Sequence, residues 1–129
     1  MGDRSYGRFL IRSTDLPKFV ELVDCTYAEI DNSNGVALVE FEEVNGGGWS
    51  IAEQLRGAAI PYIHYSEACT GCYPATLAVF DGANAVEMAA YDGDPCLAAP
   101  AGKLERNSLE TFLEHLRFYH DTRQMIGGA

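Results

Sequence analysis

The sequence predicts an α+β fold in which helices pack on a mainly antiparallel sheet. Apolar residues recur at helical spacing in three segments, and short β-prone runs separated by Asp-Gly and similar turns fill much of the second half. No internal repeat or linker divides the 129 residues. A chain of this length can bury one core, so we expect a single two-layer domain over 1–129, frayed at 1–5 and 125–129.

The first half predicts strands and helices in alternation. The stretch YGRFLIRS (6–13) is rich in β-formers and predicts the first strand. The segment 15–30 predicts a helix, because Asp15 can cap it and apolar residues follow at helical spacing. The turn DNSNG (31–35) is expected to end this helix, and VALVEFEEV (36–44) predicts the next strand.

The second half predicts a helix, a meander and a closing helix, which gives the order β-α-β-α-β-β-β-β-α. After the glycines at 46–48, Ser50 and Glu53 match a capping box, and Pro61 ends that helix. The runs IPYIHYSEA, YPATLAVF, AVEMAAY and CLAA predict four short strands. A last helix is expected from near Asn107, with an apolar face formed by Leu109, Phe112, Leu113, Leu116 and Tyr119.

The charge of the chain restricts its partners. A net charge of −10, from 19 acidic and 9 basic side chains, repels nucleic acid and anionic membranes and attracts basic protein surfaces. No segment is apolar over the length of a membrane span, and the first residues do not resemble a secretory signal. We therefore expect a cytoplasmic protein that binds neither nucleic acid nor membranes.

The acidic residues concentrate on the predicted first helix and the strand after it. Two of them, Glu29 and Asp31, fall near the expected helix C-terminus, where the helix dipole disfavours carboxylates. A basic partner would compensate for this unfavourable interaction. Screening of exposed charges by salt is the simpler alternative. The predicted partner-binding patch consists of Glu21, Asp24, Glu29, Asp31, Glu40, Glu42 and Glu43.

The segment HYSEACTGCYP (64–74) is the most chemically suggestive part of the sequence. Cys69 and Cys72 have the spacing of two zinc ligands, and His64 could be a third, but no fourth ligand lies nearby. A redox pair would need the first cysteine at a helix N-terminus, whereas the flanking residues predict strands. We interpret the segment as a tight turn, and expect no bound metal or cofactor.

The closing helix carries a second narrow apolar stripe. Phe118 and Met125 lie on the side opposite the predicted core face, where they could pack against a second copy of the chain or another partner. Burial of both sides of this helix within its own fold is the alternative.

These observations favour a small acidic, non-enzymatic binding protein of the inhibitor, immunity or regulatory type, which docks on a basic protein surface. One alternative is a small-molecule-binding domain, with a pocket between sheet and helices lined by aromatic residues. Another is a metal or redox site at the Cys-x-x-Cys pair. The candidate pocket residues are Trp49, Tyr62, Tyr65, Tyr73 and Tyr91.

Overall fold

An antiparallel sheet with helices on both faces forms the protein in a computed structural model, which describes residues 4–68, 74–97 and 106–127. The strands are β1 (Arg4–Arg12), β2 (Ala28–Ser33), β3 (Val36–Asn45), β4 (Tyr62–Ser66), β5 (Thr76–Phe80), β6 (Ala85–Tyr91) and β7 (Asp94–Pro95). The helices are α1 (Leu16–Leu22), α2 (Trp49–Gly57) and α3 (Arg106–Ile126).

Within these ranges the seven strands form one open sheet in the order β2-β3-β1-β4-β5-β6-β7. Every neighbouring pair is antiparallel. The predicted α+β class with a mainly antiparallel sheet is therefore confirmed. None of the helices in the described ranges is long and apolar enough to cross a membrane.

The helix predicted over 15–30 is wrong in its second half. The helix α1 ends at Leu22, the backbone is extended at Val23 with φ −124° and ψ 133°, and Ala28–Ser33 form strand β2. Asn34 and Gly35 both have positive φ, 56° and 81°, as a two-residue hairpin turn requires. This Asn-Gly turn pairs β2 with β3, so tertiary pairing overrides the helical spacing of the apolar residues.

The predicted start of α2 and the last predicted strand also differ from the structure. The residue before α2 is Gly48, and Ser50 lies inside the helix, whose N-terminus receives no side-chain cap. Gly47 and Gly48 have positive φ, 65° and 100°, which lets this glycine loop turn directly into the helix. In the CLAA run, Cys96 and Leu97 lie outside any strand, because the last strand is Asp94–Pro95.

The core consists of two clusters on opposite faces of the sheet. Because side chains alternate along a strand, Phe9 faces α1 and α2, while its neighbour Leu10 faces α3. The sheet therefore has a helix layer on each side, instead of the two layers expected. The α1–α2 cluster includes Phe9, Ile11, Phe19, Val39, Leu55 and Tyr62. The α3 cluster includes Ile63, Tyr65, Leu77, Val79, Tyr119 and Ile126.

Helix α3 packs through a face that overlaps only partly with the one predicted. Tyr119 and Leu116 of the predicted core face pack in the α3 cluster together with Ile126, and Thr122 is also buried. Leu109 and Leu113 of the predicted face are exposed. The helix continues to Ile126, whose side chain is 2% exposed, and strand β1 begins at Arg4. The fraying expected at 1–5 and 125–129 stays a prediction.

Candidate functional site

The sheet pairing brings most of the predicted acidic residues together on one surface. Glu29 of β2 lies directly opposite Glu40 of β3, and Asp31 follows Glu29 on the same side of its strand. A β-bulge lies in β3 between Phe41 and Val44, opposite Ser5 and Gly7 of β1. Phe41 and Val44 both pack toward α1 and α2. The two residues between them, Glu42 and Glu43, are exposed beside Glu40. We call Glu29, Asp31, Glu40, Glu42 and Glu43 the acidic face.

A groove of about 240 Å³ opens in the acidic face. It is lined by Tyr6, Tyr27, Glu29, Glu40 and Glu42. The Tyr6 hydroxyl donates a hydrogen bond to Glu40, and burial, together with that carboxylate, raises the pKa of Tyr6. Tyr27 is 92% exposed. The groove therefore combines three carboxylates with two aromatic rings.

The carboxylates of the acidic face have no ion-pair partner among the described residues. The ion pairs found there are Arg12–Asp15, at 2.7 Å, and Lys18–Glu21, at 3.8 Å, and neither includes the acidic face. Like charges directly opposite on neighbouring strands are destabilising, by roughly 0.2–1 kcal/mol. Arg8 of β1 lies opposite Glu40 on its other side without forming an ion pair, and Tyr6 donates a hydrogen bond to Glu40, so the Glu29–Glu40 repulsion is compensated only in part.

The other two predicted acidic residues lie elsewhere. Glu21 belongs to α1, which packs on the opposite face of the sheet through Phe19, and its carboxylate lies near Lys18. Asp24 follows α1 and accepts hydrogen bonds from the backbone and hydroxyl of Thr26, which lower the pKa of Asp24. Neither residue belongs to β2 or β3, because residues 28–33 form a strand instead of continuing the helix.

His64 is a buried residue that holds the glycine loop in place. Its ring stacks on Phe9 with centroids 4.1 Å apart, and its Nε2 lies 2.6 Å from the carbonyl oxygen of Gly47. Burial lowers the pKa of His64 to about 4, so the neutral imidazole donates Nε2–H to that carbonyl. A Cβ added to Gly47 would lie 1.8 Å from Ser66 Oγ, and one added to Gly48 would lie 3.1 Å from His64 Nε2. The loop therefore requires glycine at both positions.

The metal candidates are only partly within the described residues. Cys69 and Cys72 lie outside them, whereas His64 lies inside. In the described ranges no group of three or more histidine, cysteine, aspartate or glutamate side chains could hold a metal ion. Cys25 and Cys96, the other two cysteines, are half-buried free thiols.

A small polar cavity adjoins His64. It has a volume of about 120 Å³, and Trp49 and Arg56 of α2, Ser66 of β4 and Glu87 of β6 contribute to its lining. Arg56 Nη1 donates to the Tyr62 hydroxyl at 2.7 Å. Sequence reasoning missed Arg56 and Glu87, because they line one cavity only when α2 packs across the sheet.

The predicted aromatic pocket is not formed by its described members. Tyr62 and Tyr65 are three residues apart on β4 and point to opposite faces of the sheet, while Trp49 and Tyr91 are exposed. Tyr73 lies outside the described residues. A cavity of about 400 Å³ between β6 and α3 includes none of the four described candidates in its lining.

The two residues of the predicted apolar stripe on α3 differ in their surroundings. Phe118 is half-buried and packs against the α3 cluster, so it does not lie opposite the core as expected. Met125 is 42% exposed. His115, Tyr119 and Thr122 lie on the side of α3 that faces the sheet.

In comparisons with known proteins, no family model matches the chain, and no curated protein or solved structure matches it either.

Proposed function

We propose that this protein binds a basic segment of another protein through its acidic face. The Glu29–Glu40 pair is the observation that carries this proposal. Glu29 and Glu40 lie opposite each other, and Arg8, the other cross-strand neighbour of Glu40, forms no ion pair with it. The two carboxylates therefore repel each other in the free protein, and an arginine or lysine of a partner placed between them would relieve that repulsion. The repulsion raises the free energy of the unbound protein, and binding of a basic partner at this surface would remove that cost.

The groove fits one basic side chain of such a partner. Its carboxylates are those of Glu29, Glu40 and Glu42, and Tyr6 and Tyr27 supply aromatic rings on which a cation can lie. Tyrosine is enriched among the residues that dominate binding energy at protein interfaces. An exposed Tyr27 beside clustered carboxylates therefore supports recognition of a side chain, beyond long-range attraction alone.

The net charge of −10 supports the same proposal at longer range. A field of this sign accelerates encounter with a basic protein, and salt weakens that acceleration because it screens charges that are farther apart than the Debye length, about 8 Å at physiological ionic strength. Association should therefore be fast at low salt and slower as salt is added. The partner is defined here by its chemistry, as a surface segment rich in arginine or lysine.

Binding of a fluorescent arginine-rich peptide, measured by anisotropy at several salt concentrations, tests the proposal. The variant Glu29→Gln, Glu40→Gln, Glu42→Gln should bind about tenfold more weakly or worse, because charged hydrogen bonds contribute roughly 1.5–3 kcal/mol each. It keeps the shape of all three side chains.

A matched variant separates the acidic face from net charge. The substitutions Glu53→Gln, Glu114→Gln and Asp121→Asn remove the same charge from exposed positions on α2 and α3. This control should bind the peptide nearly as tightly as the unaltered protein. An equal loss in both variants would mean that only total charge matters, and an unchanged affinity in the first would reject the acidic face.

A further inference from the structure

A cavity of about 200 Å³ lies between the sheet and the C-terminal half of α3. Its apolar floor includes Leu10, Ile63 and Leu77, of which Ile63 and Leu77 are buried in the α3 cluster. Arg8 of β1 and Arg123 of α3 also line it. A cavity lined by apolar side chains and by two arginines offers a ligand both an apolar and a cationic environment.

Both arginines are held in place by neighbouring groups. The Arg8 guanidinium carbon lies 5.0 Å from the centroid of the Tyr65 ring, and a Cβ added to Gly93 would lie 2.3 Å from Arg8 Nη2. Arg123 Nη1 donates to the Tyr119 hydroxyl at 2.8 Å. A hydroxyl that accepts from an arginine still has a proton to donate, so Tyr119 adds a further donor at the cavity.

Neither arginine forms an ion pair with a carboxylate within the described ranges. Arg12 and Lys18 form the ion pairs found there, whereas Arg8 and Arg123 have no carboxylate of a described residue within 4.0 Å. Glu40 is the cross-strand neighbour of Arg8, and both act on the Tyr6 hydroxyl, which donates to Glu40. The net charge of the protein is −10, yet two cations without an ion-pair partner line this one cavity, and an anionic ligand would pair with them.

We propose that this cavity binds a small monocarboxylate, with the carboxylate between Arg8 and Arg123 and an apolar body on the floor formed by Leu10, Ile63 and Leu77. Arginine matches a carboxylate through paired N–H donors, and the buried side chains below it match a hydrocarbon body. The volume equals the liquid volume of roughly seven water molecules, which fits a ligand of about ten non-hydrogen atoms.

The surrounding charges favour one negative charge over several. The pKa of Tyr65 is raised by burial first and then by the nearby carboxylates of Glu67 and Asp92. Those carboxylates offset part of the field of Arg8, so a second negative charge on the ligand gains less in this cavity than it would beside the arginines alone. The apolar floor gives such an anion no compensating contacts.

Calorimetric titration with benzoate tests this site, with benzamide as the uncharged analogue and sulfate as an anion without an apolar body. Benzoate should bind saturably, and benzamide and sulfate about tenfold more weakly or worse. Arg123→Gln should weaken benzoate binding by about tenfold, since it removes one charged contact. Arg8→Lys, which retains a charge but not the planar fork, should also weaken it.

The matched control is Arg117→Gln, an exposed arginine on the same helix, which should bind benzoate like the unaltered protein. The acidic-face variant should also retain benzoate binding, so failure of the two proposals can be distinguished. The monocarboxylate site is rejected if benzoate, hexanoate and phenylacetate all fail to saturate below about 10 mM. It is also rejected if sulfate binds more tightly than benzoate, or if Arg123→Gln leaves the affinity unchanged.

Discussion

Acidification should destabilise this fold through one buried residue, His64. The side chain is 5% exposed and stacks on Phe9, and burial lowers its pKa from 6.5 to about 4. The unfolded chain takes up a proton as the pH falls through 6.5, whereas the folded chain remains neutral until the pH is about 4. The stability that this site contributes is therefore complete above pH 6.5 and is lost as the pH falls from there to about 4.

The size of the loss follows from the two pKa values. Each tenfold change in proton affinity is worth about 1.4 kcal/mol, so the interval from 6.5 to about 4 corresponds to about 3 kcal/mol of unfolding free energy. Desolvation of the imidazolium is the main cause, and the positive charge of Arg56 acts in the same direction. A loss of this size is a large part of the roughly 5–15 kcal/mol by which domains are stable.

Urea unfolding near pH 7 and at about pH 4.5, compared with the variant His64→Gln, measures this contribution. Glutamine can still donate a hydrogen bond to the Gly47 carbonyl but does not titrate, so its unfolding free energy should fall less on acidification. Carboxylates titrate in both proteins, and their effect cancels in the comparison. His120→Gln, at an exposed position on α3, should behave like the unaltered protein. Equal losses in the unaltered protein and His64→Gln would refute the reasoning.

Two further pairs of substitutions, each measured by chemical denaturation, test the backbone and the core. Gly35→Ala should cost about 1 kcal/mol, because Gly35 has φ +81° with open space around it, whereas Gly57→Ala at the end of α2 should stabilise by about 0.5 kcal/mol. Similar changes in the free energy of unfolding at the two glycines would show that the positive φ of Gly35 does not cause the loss. Leu55→Ala, in the core, should lower the free energy of unfolding by about 3 kcal/mol. Leu113 is 49% exposed, so Leu113→Ala should lower it by less than about 1 kcal/mol. Comparable losses would show that burial does not set the cost.

The fold class could be predicted because it depends on local signals. Alternating β-prone runs and glycine-containing turns mark the strands, and they need no long-range information. The helix predicted over 15–30 failed for a related reason. Ile30, for example, fits both helical spacing and strand preference, and only its pairing with Val39 of β3 decides between the two. The Asn34-Gly35 turn was the local signal that could have indicated a hairpin there.

The candidate sites were predictable only in part. The concentration of acidic residues is visible in the sequence, but which of them share a surface depends on the register of β2 against β3 and on the bulge in β3. The aromatic candidates were separated because Tyr62 and Tyr65 lie on opposite faces of one strand. The cavity beside Arg8 and Arg123 has no sequence signal, since its two arginines are far apart along the chain.

The sequence by itself determined the class of fold, the strong negative charge and the positions of several tight turns, because each depends on composition or on residues a few positions apart. Only the tertiary structure decided that Glu29 opposes Glu40, that His64 is buried against the glycine loop, and that Arg8 and Arg123 line one cavity. Those arrangements join distant segments, and strand register and helix docking, which set them, are optimised over the whole core.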